Sequence, residues 1–161
     1  MATARPNPTR NSLPAPARAE MVSLLNAVMA DLADLHSQAK QAHWNVRGRH
    51  FQPLHQLFDT VAETAEEPID DIAERAVQLG GYARGTLRMA AGASRLPEWP
   101  DDLADESAFV TALTERFAMV ANSVREAIDT AARAGDADTA DLFTGVSRSL
   151  DKSLWMLEAS Q

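Results

Sequence analysis

The chain has 161 residues, 45% of them hydrophobic, and a formal net charge of −8, enough for one compact domain with its own core. It contains no cysteine, which excludes disulfides, thiolate metal sites, iron–sulfur clusters and cysteine nucleophiles; any metal must be held by imidazole nitrogen and carboxylate oxygen, ligands that suit iron, manganese or zinc. No apolar run approaches the ~20 residues that span a bilayer and no signal-peptide pattern opens the chain, so a cytoplasmic location without a membrane partner is expected.

In chain order, residues 1–18 hold Pro6, Pro8, Pro14 and Pro16, with Arg5, Arg10 and Arg18 and no acid. Little apolar surface is available there to offset the cost of ordering, so a flexible tail is predicted. Its three arginines offer contacts to DNA phosphates. The tail contributes +3, which leaves −11 for the rest. An acidic body repels phosphate and attracts cations.

Helical periodicity then dominates. A first helix is predicted over about 19–46, with Leu25, Val28, Leu32 and Leu35 in register, stopped by Gly48. A second starts near Pro53 and runs through Leu57, Val61, Ala65, Ile69 and Ile72 to Leu79, where Gly80 and Gly81 end it. Pro68 lies inside it, removing an amide donor and crowding the carbonyl of Thr64, so a kink is expected. Residues 82–103 carry Gly85, Gly92, Pro97 and Pro100 and read as a long crossover with a short helix near 86–91. A third helix covers about 105–133 up to Gly135, and a fourth about 137–159, with Trp155 and Met156 expected in its core face. Residues 19–161 thus predict an all-α, ferritin-like four-helix bundle with the crossover between the second and third helices.

All four histidines, His36, His43, His50 and His55, fall within twenty residues. His55 and Asp59 sit four apart on the second helix, and Asp70 and Glu74 repeat that spacing. At about 100° per residue the four share one stripe. Asp59 and Asp70, however, lie roughly 16 Å apart along a helix rising 1.5 Å per residue, and metal–ligand bonds are about 2 Å. One helix therefore supplies two half-sites. Position numbers 55 and 74 add to 129, as do 59 and 70. Two copies crossing antiparallel with midpoints at Thr64–Ala65 would complete both halves, giving two equal sites from one twofold interface. The bland reading is a pair of solvated histidine–carboxylate spacings on a surface helix.

The segment from Lys40 to Gly48 (KQAHWNVRG), followed by Phe51, His55 and Asp59, by Asp70 to Gly81 (DDIAERAVQLGG), by Thr139-Ala140-Asp141 and by Ser147 to Trp155 (SRSLDKSLW), closely resembles the Dps family, DNA-binding proteins from starved cells. The resemblance spans about residues 20–159. It implies a homo-dodecameric shell with a ferroxidase centre at each twofold interface. One subunit would supply His43, His55 and Asp59, the neighbour Asp70 and Glu74, with Trp44 beside the site. The implied chemistry is Fe(II) binding, oxidation preferably by hydrogen peroxide, and storage of Fe(III) mineral, protecting DNA from oxidative damage. No Glu-x-x-His, the helix motif of the usual intrasubunit di-iron bundle, occurs in the chain,.

Glu63 and Glu66 fall on the same stripe between the half-sites and are candidates for mineral nucleation, or plain solvated carboxylates. Asp136, Asp138 and Asp141 open the fourth helix; the resemblance implies a threefold cation entrance, while acids there also cap helix amides. His36 and His50 read as packing or surface residues, and Lys40 as a partner for an acid near the metal site. Two other function classes stand beside the ferroxidase: a DNA-binding, nucleoid-compacting cage with little catalytic role, and a non-catalytic metal store.

Overall fold

The computed structural model describes residues 7–161. Six helices follow in order: α1 (Ala15–Asn45), α2 (Phe51–Glu66), α3 (Ile69–Gln78), α4 (Leu87–Ala91), α5 (Glu106–Arg133) and α6 (Ala137–Glu158). The bundle has α1, the α2–α3 pair, α5 and α6 as its four members. α1 packs on α2, α3 and α5, α5 on α6, and α2 on α6. Met21, Leu25, Leu32, Leu35, Phe58, Ile72, Leu113, Phe117, Phe143 and Leu150 are sealed between them. Truncating a phenylalanine such as Phe58 to alanine in this setting costs about 3–5 kcal/mol.

Helix ends follow local chemistry. The α3 terminus is a Schellman motif: Gly80, at φ 83°, sends its N–H to Val77 O and Gly81 its N–H to Ala76 O, the pattern that satisfies end carbonyls when a glycine takes the left-handed conformation. α5 ends the same way, with Gly135 at φ 78° and bonds from Gly135 N to Ala132 O and from Asp136 N to Ala131 O. Asp136 then caps α6, accepting from Thr139 N at 3.1 Å. The same residue closes one helix and opens the next.

Pro68 breaks the second helix into α2 and α3, as its missing amide requires. Glu67 and Pro68 keep right-handed dihedrals, so the inward stripe of Leu54, Phe58, Val61, Ala62 and Ala65 continues into Ile72 and Ala76. The break interrupts hydrogen bonding without losing core register.

The long crossover lies along α1, and buried polar groups pin it. Asp31, almost fully buried, accepts from Arg95 N at 2.8 Å and pairs with the Arg95 guanidinium. Ser94 donates to Asp34 at 2.6 Å and Gln38 to the carbonyl of Pro97 at 3.0 Å. Arg116, buried on α5, donates to Gln38 Oε1 at 2.5 Å and to Glu98 O at 2.9 Å, and its guanidinium lies 5.1 Å from the Trp99 ring centroid. Burial lowers the Arg116 pKa. The short helix α4 sits where sequence placed it, capped by Thr86.

Three expectations are corrected. The predicted tail over 1–18 is docked from residue 7 onward: Asn7 N donates to Gly80 O at 2.8 Å, Asn7 Nδ2 to Gly81 O at 3.2 Å and Thr9 Oγ1 to Gln78 O at 3.3 Å. These bonds cover carbonyls left over at the α3 terminus. α1 also starts earlier, at Ala15, because Pro16 sits in its first turn, where a missing amide costs nothing. Finally, Trp155 is 63% exposed rather than in the core; Ser153 and Leu157 face inward instead.

Candidate metal centre

α1 and α2 run antiparallel and meet in a ladder of polar rungs. In the first, His43 and His55 bond reciprocally: His43 Nδ1 lies 2.7 Å from His55 O, and His55 Nδ1 2.8 Å from His43 O. A carbonyl oxygen has no proton to give, so each Nδ1 is the donor. Each ring is thereby held in the tautomer that leaves its Nε2 lone pair bare, the arrangement typical of metal-binding histidine. The rings stack at 3.7 Å between centroids and 21° between planes, and Phe51 packs on His55 with its centroid at 5.0 Å.

The second rung is Lys40 Nζ to Asp59 Oδ1 at 2.5 Å. That hydrogen bond, more than any other influence, lowers the Asp59 pKa; the charge of Lys40 and the neighbouring histidines add to it, and burial opposes it. His43 Nδ1 stands 3.9 Å from the same carboxylate oxygen. Two imidazoles and one ionised carboxylate thus lie in neighbouring rungs between α1 and α2. In the third rung, His36 Nδ1 donates to Ala62 O at 3.1 Å, with Glu66 Oε2 at 3.9 Å.

Asp70 and Glu74 lie exposed on α3, beyond the Pro68 break. Among the described residues, no group of three or more histidine, cysteine or acidic side chains in a single chain is placed to hold a metal ion. Within one chain, His43, His55 and Asp59 gather where α1 meets α2, and Asp70 and Glu74 lie on α3.

The ferritin-like domain family model matches residues 22–160. A curated relative, "DNA protection during starvation protein" of Agrobacterium fabrum, is 45% identical over 151 residues, covering 94% of this chain and 93% of the relative. The chain belongs to the Dps family. Solved structures agree: DpsC from Streptomyces coelicolor superposes with a TM-score of 0.92 at 29% identity, covering 99% of this chain and 94% of that one. An archaeal Dps homologue from Halobacterium salinarum gives 0.89 at 28%, covering 99% and 90%.

The remaining candidate residues of this Dps chain divide sharply. Asp136 is 2% exposed; besides capping α6 it accepts from Arg75 Nη2 at 2.7 Å and from Thr139 Oγ1 at 2.6 Å. Its carboxylate belongs to a buried clamp that ties α3 to α6, while Asp138 and Asp141 point outward. Arg75 reaches Asp138 only at 3.7 Å. The sequence showed a cap and an acid cluster, but no local signal revealed that Arg75, sixty-one positions away, claims Asp136. Glu63 and Glu66 are exposed on the stripe. Trp44, next to His43 in the chain, is 66% exposed.

His50 also has a partner that sequence did not suggest. Its backbone N–H and Nδ1 both meet the Glu106 carboxylate, at 2.9 and 2.7 Å, and these bonds lower the Glu106 pKa. The pair ties the α1–α2 turn to the start of α5.

At the N-terminus, Arg18 Nη1 donates to Leu13 O and lies 3.5 Å from Asn11 O. Arg10 is exposed, and Arg5 lies outside the described residues. No helix among the described residues is long and apolar enough to cross a membrane.

Proposed function

We propose that this Dps protein is an iron-storing ferroxidase whose metal sites are completed between subunits of a closed homo-oligomeric, dodecameric cage. The observation that carries the reading is the reciprocal His43–His55 pairing, which commits both Nδ1 atoms as donors and leaves both Nε2 lone pairs for a ligand, with the Asp59 carboxylate 3.9 Å from His43 Nδ1. Asp70 and Glu74 of the neighbouring subunit supply the missing carboxylates, in the antiparallel register that their positions define.

Iron is the substrate and cargo. Two Fe(II) ions each yield one electron to hydrogen peroxide; its O–O bond breaks and, with two protons, two waters and two Fe(III) result. Hard anionic oxygen ligands favour the Fe(III) product. Storing the oxidised iron as mineral removes both reagents of hydroxyl-radical formation and so protects DNA. Asp138 and Asp141 form the cation entrance. Asp136 acts as its structural support, because its carboxylate is already held by Arg75 and Thr139.

The test is stopped-flow Fe(II) oxidation with peroxide and with oxygen, in the wild type and in His55→Ala. Removing a nitrogen ligand should slow the peroxide reaction by at least about tenfold, the scale on which even supporting interactions of metal sites act. A rate unchanged by His55→Ala would refute the assignment and leave a passive store.

DNA compaction through the N-terminal arginines is the second reading, favoured by the three arginines and absence of acids in residues 1–18 and by the exposure of Arg10. The docked segment weighs against it, since Arg18 is turned onto its own backbone. A gel shift at low and physiological salt, comparing full-length protein with a chain lacking residues 1–13, separates the two: strong salt-dependent binding lost on deletion supports DNA contact.

A further inference from the structure

The end of α3 is clasped from two sides. On one side α1 approaches so closely that a Cβ on Gly81 would stand 2.4 Å from a methyl of Val22, and Asn26 Nδ2 donates to Tyr82 O at 3.1 Å. On the other side lies the segment that precedes α1. It gives three hydrogen bonds to three carbonyls: Thr9 Oγ1 to Gln78 O at 3.3 Å, Asn7 N to Gly80 O at 2.8 Å and Asn7 Nδ2 to Gly81 O at 3.2 Å. The fit is close, since a Cβ on Gly80 would meet the carbonyl oxygen of Asn7 at 2.8 Å and the methyl of Thr9 at 3.2 Å. Turns within the segment stiffen it: Asn11 N donates to Thr9 Oγ1 at 3.2 Å and Leu13 N to Asn11 Oδ1 at 2.9 Å.

α3 is built as a short lever. At its start Pro68 has no amide to offer the carbonyl of Thr64, so the hydrogen-bond ladder of α2 does not run through the break. Glu74 lies six residues beyond Pro68 and Gly80 twelve, roughly 9 and 18 Å along a helix rising 1.5 Å per residue. With the break as pivot, a shift of about 2 Å at Gly80 becomes about 1 Å at Glu74 and about 0.3 Å at Asp70. One ångström is half of a metal–ligand bond of about 2 Å. Burial of Ile72 and Ala76 keeps α3 on the core and Arg75 ties it to α6, but these holds lie nearer the pivot than the clasp does.

We propose that residues 7–13 are a positioning strap for the shared metal centre. By fixing the end of α3, Asn7 and Thr9 set where Glu74 is presented to the histidines of the neighbouring subunit. Neither residue touches the metal; both act through α3. The proposal rests on the inter-subunit reading of the centre, and it gives the proline-rich start a task that needs no DNA.

Co(II), whose visible absorption reports ligand geometry, is the probe, titrated into the full-length, metal-free, assembled protein. Asn7→Pro combined with Thr9→Val removes all three bonds and leaves every bundle residue in place. Amide exchange over 7–13 should quicken, size exclusion should show an intact cage, and Co(II) affinity should fall by at least about tenfold, the lower end for supporting interactions of metal sites, with a changed visible band. A strap that merely stabilises the fold would lower the unfolding temperature and leave that band alone. Thr9→Val by itself should shift affinity the same way by less, and carries the test if the double variant fails to assemble; Thr9→Ser, which keeps the hydroxyl, should bind like wild type. Because the lever acts chiefly on Glu74, strap release should add little to the loss in Glu74→Gln but its full factor to that in Asp70→Asn. His55→Ala tests the centre itself: binding unaffected by it sinks the inter-subunit reading and the strap together. With His55→Ala impaired, an unchanged affinity and band in the released variant overturns the strap alone, as does persistent protection of residues 7–13 once the three bonds are gone.

Discussion

If each metal centre draws its ligands from two chains, two inactive variants should repair one another. His55→Ala spoils the half-site made by α1 and α2, and Glu74→Ala spoils the half-site on α3. The two positions lie on opposite sides of the Pro68 break, and the Asp59 to Asp70 separation alone is roughly 16 Å of helix, far beyond the reach of a shared ion. In a mixed dimer, one centre combines both lesions and the other combines two intact halves. Random pairing makes half of all dimers mixed, so about a quarter of all centres should be whole. The assay is co-expression of the two variants with different tags, tandem purification to confirm mixing, and stopped-flow oxidation of Fe(II) by peroxide. Activity near a quarter of wild type per chain is expected, against near background for each parent. Activity no greater than the average of the parents, in demonstrably mixed cages, would refute ligand sharing across the interface.

Other outcomes follow from single contacts. Arg75→Ala strands the buried Asp136 carboxylate, and breaking a buried pair from one side costs about 3–5 kcal/mol; urea unfolding should show it, whereas Asp138→Asn, on the outside, should be nearly neutral in stability and slow iron uptake. Lys40→Met removes the hydrogen bond that lowers the Asp59 pKa. Since the folded-state value lies below the unfolded one, the pair stabilises the fold above the ordinary aspartate range and loses that contribution as pH falls through the lowered value. In Lys40→Met the Asp59 carboxyl should titrate at higher pH by NMR, and metal binding should fail earlier on acidification. Gly80→Ala combines a left-handed φ of 83° with a Cβ 2.8 Å from the carbonyl oxygen of Asn7; it should release residues 7–13 from α3, seen as faster amide exchange or proteolysis there with the bundle retained.

Much of this was legible in the sequence where local rules decide. Gly80 and Gly135 end helices because a left-handed residue closes a Schellman motif, Thr86 caps the short helix, and Pro68 divides the second helix while the apolar spacing carries on through it. His55 and Asp59 lie together on α2, four residues apart as the spacing implies. What failed was anything decided by distant partners. The proline-rich start was read as a tail because its own residues bury little, yet Asn7 and Thr9 find unsatisfied carbonyls at the far end of α3. Trp155 was read as core on hydrophobicity, although it faces away from Leu157 and Leu150 on the same helix. Asp136 was read with its acidic neighbours, but its environment is set by Arg75 on another helix. The bonds between His43 and His55, and the donor role they give each Nδ1, required the two helices in register.

The crossed backbone bonds of His43 and His55 mean that the imidazoles are aimed as soon as the first helical hairpin closes, before any neighbour or ion arrives. On the proposed reading, a newly made subunit is ready to recognise iron but is too poor in carboxylate to hold it firmly. Radical-generating chemistry is then withheld from stray monomers and begins only inside a finished container.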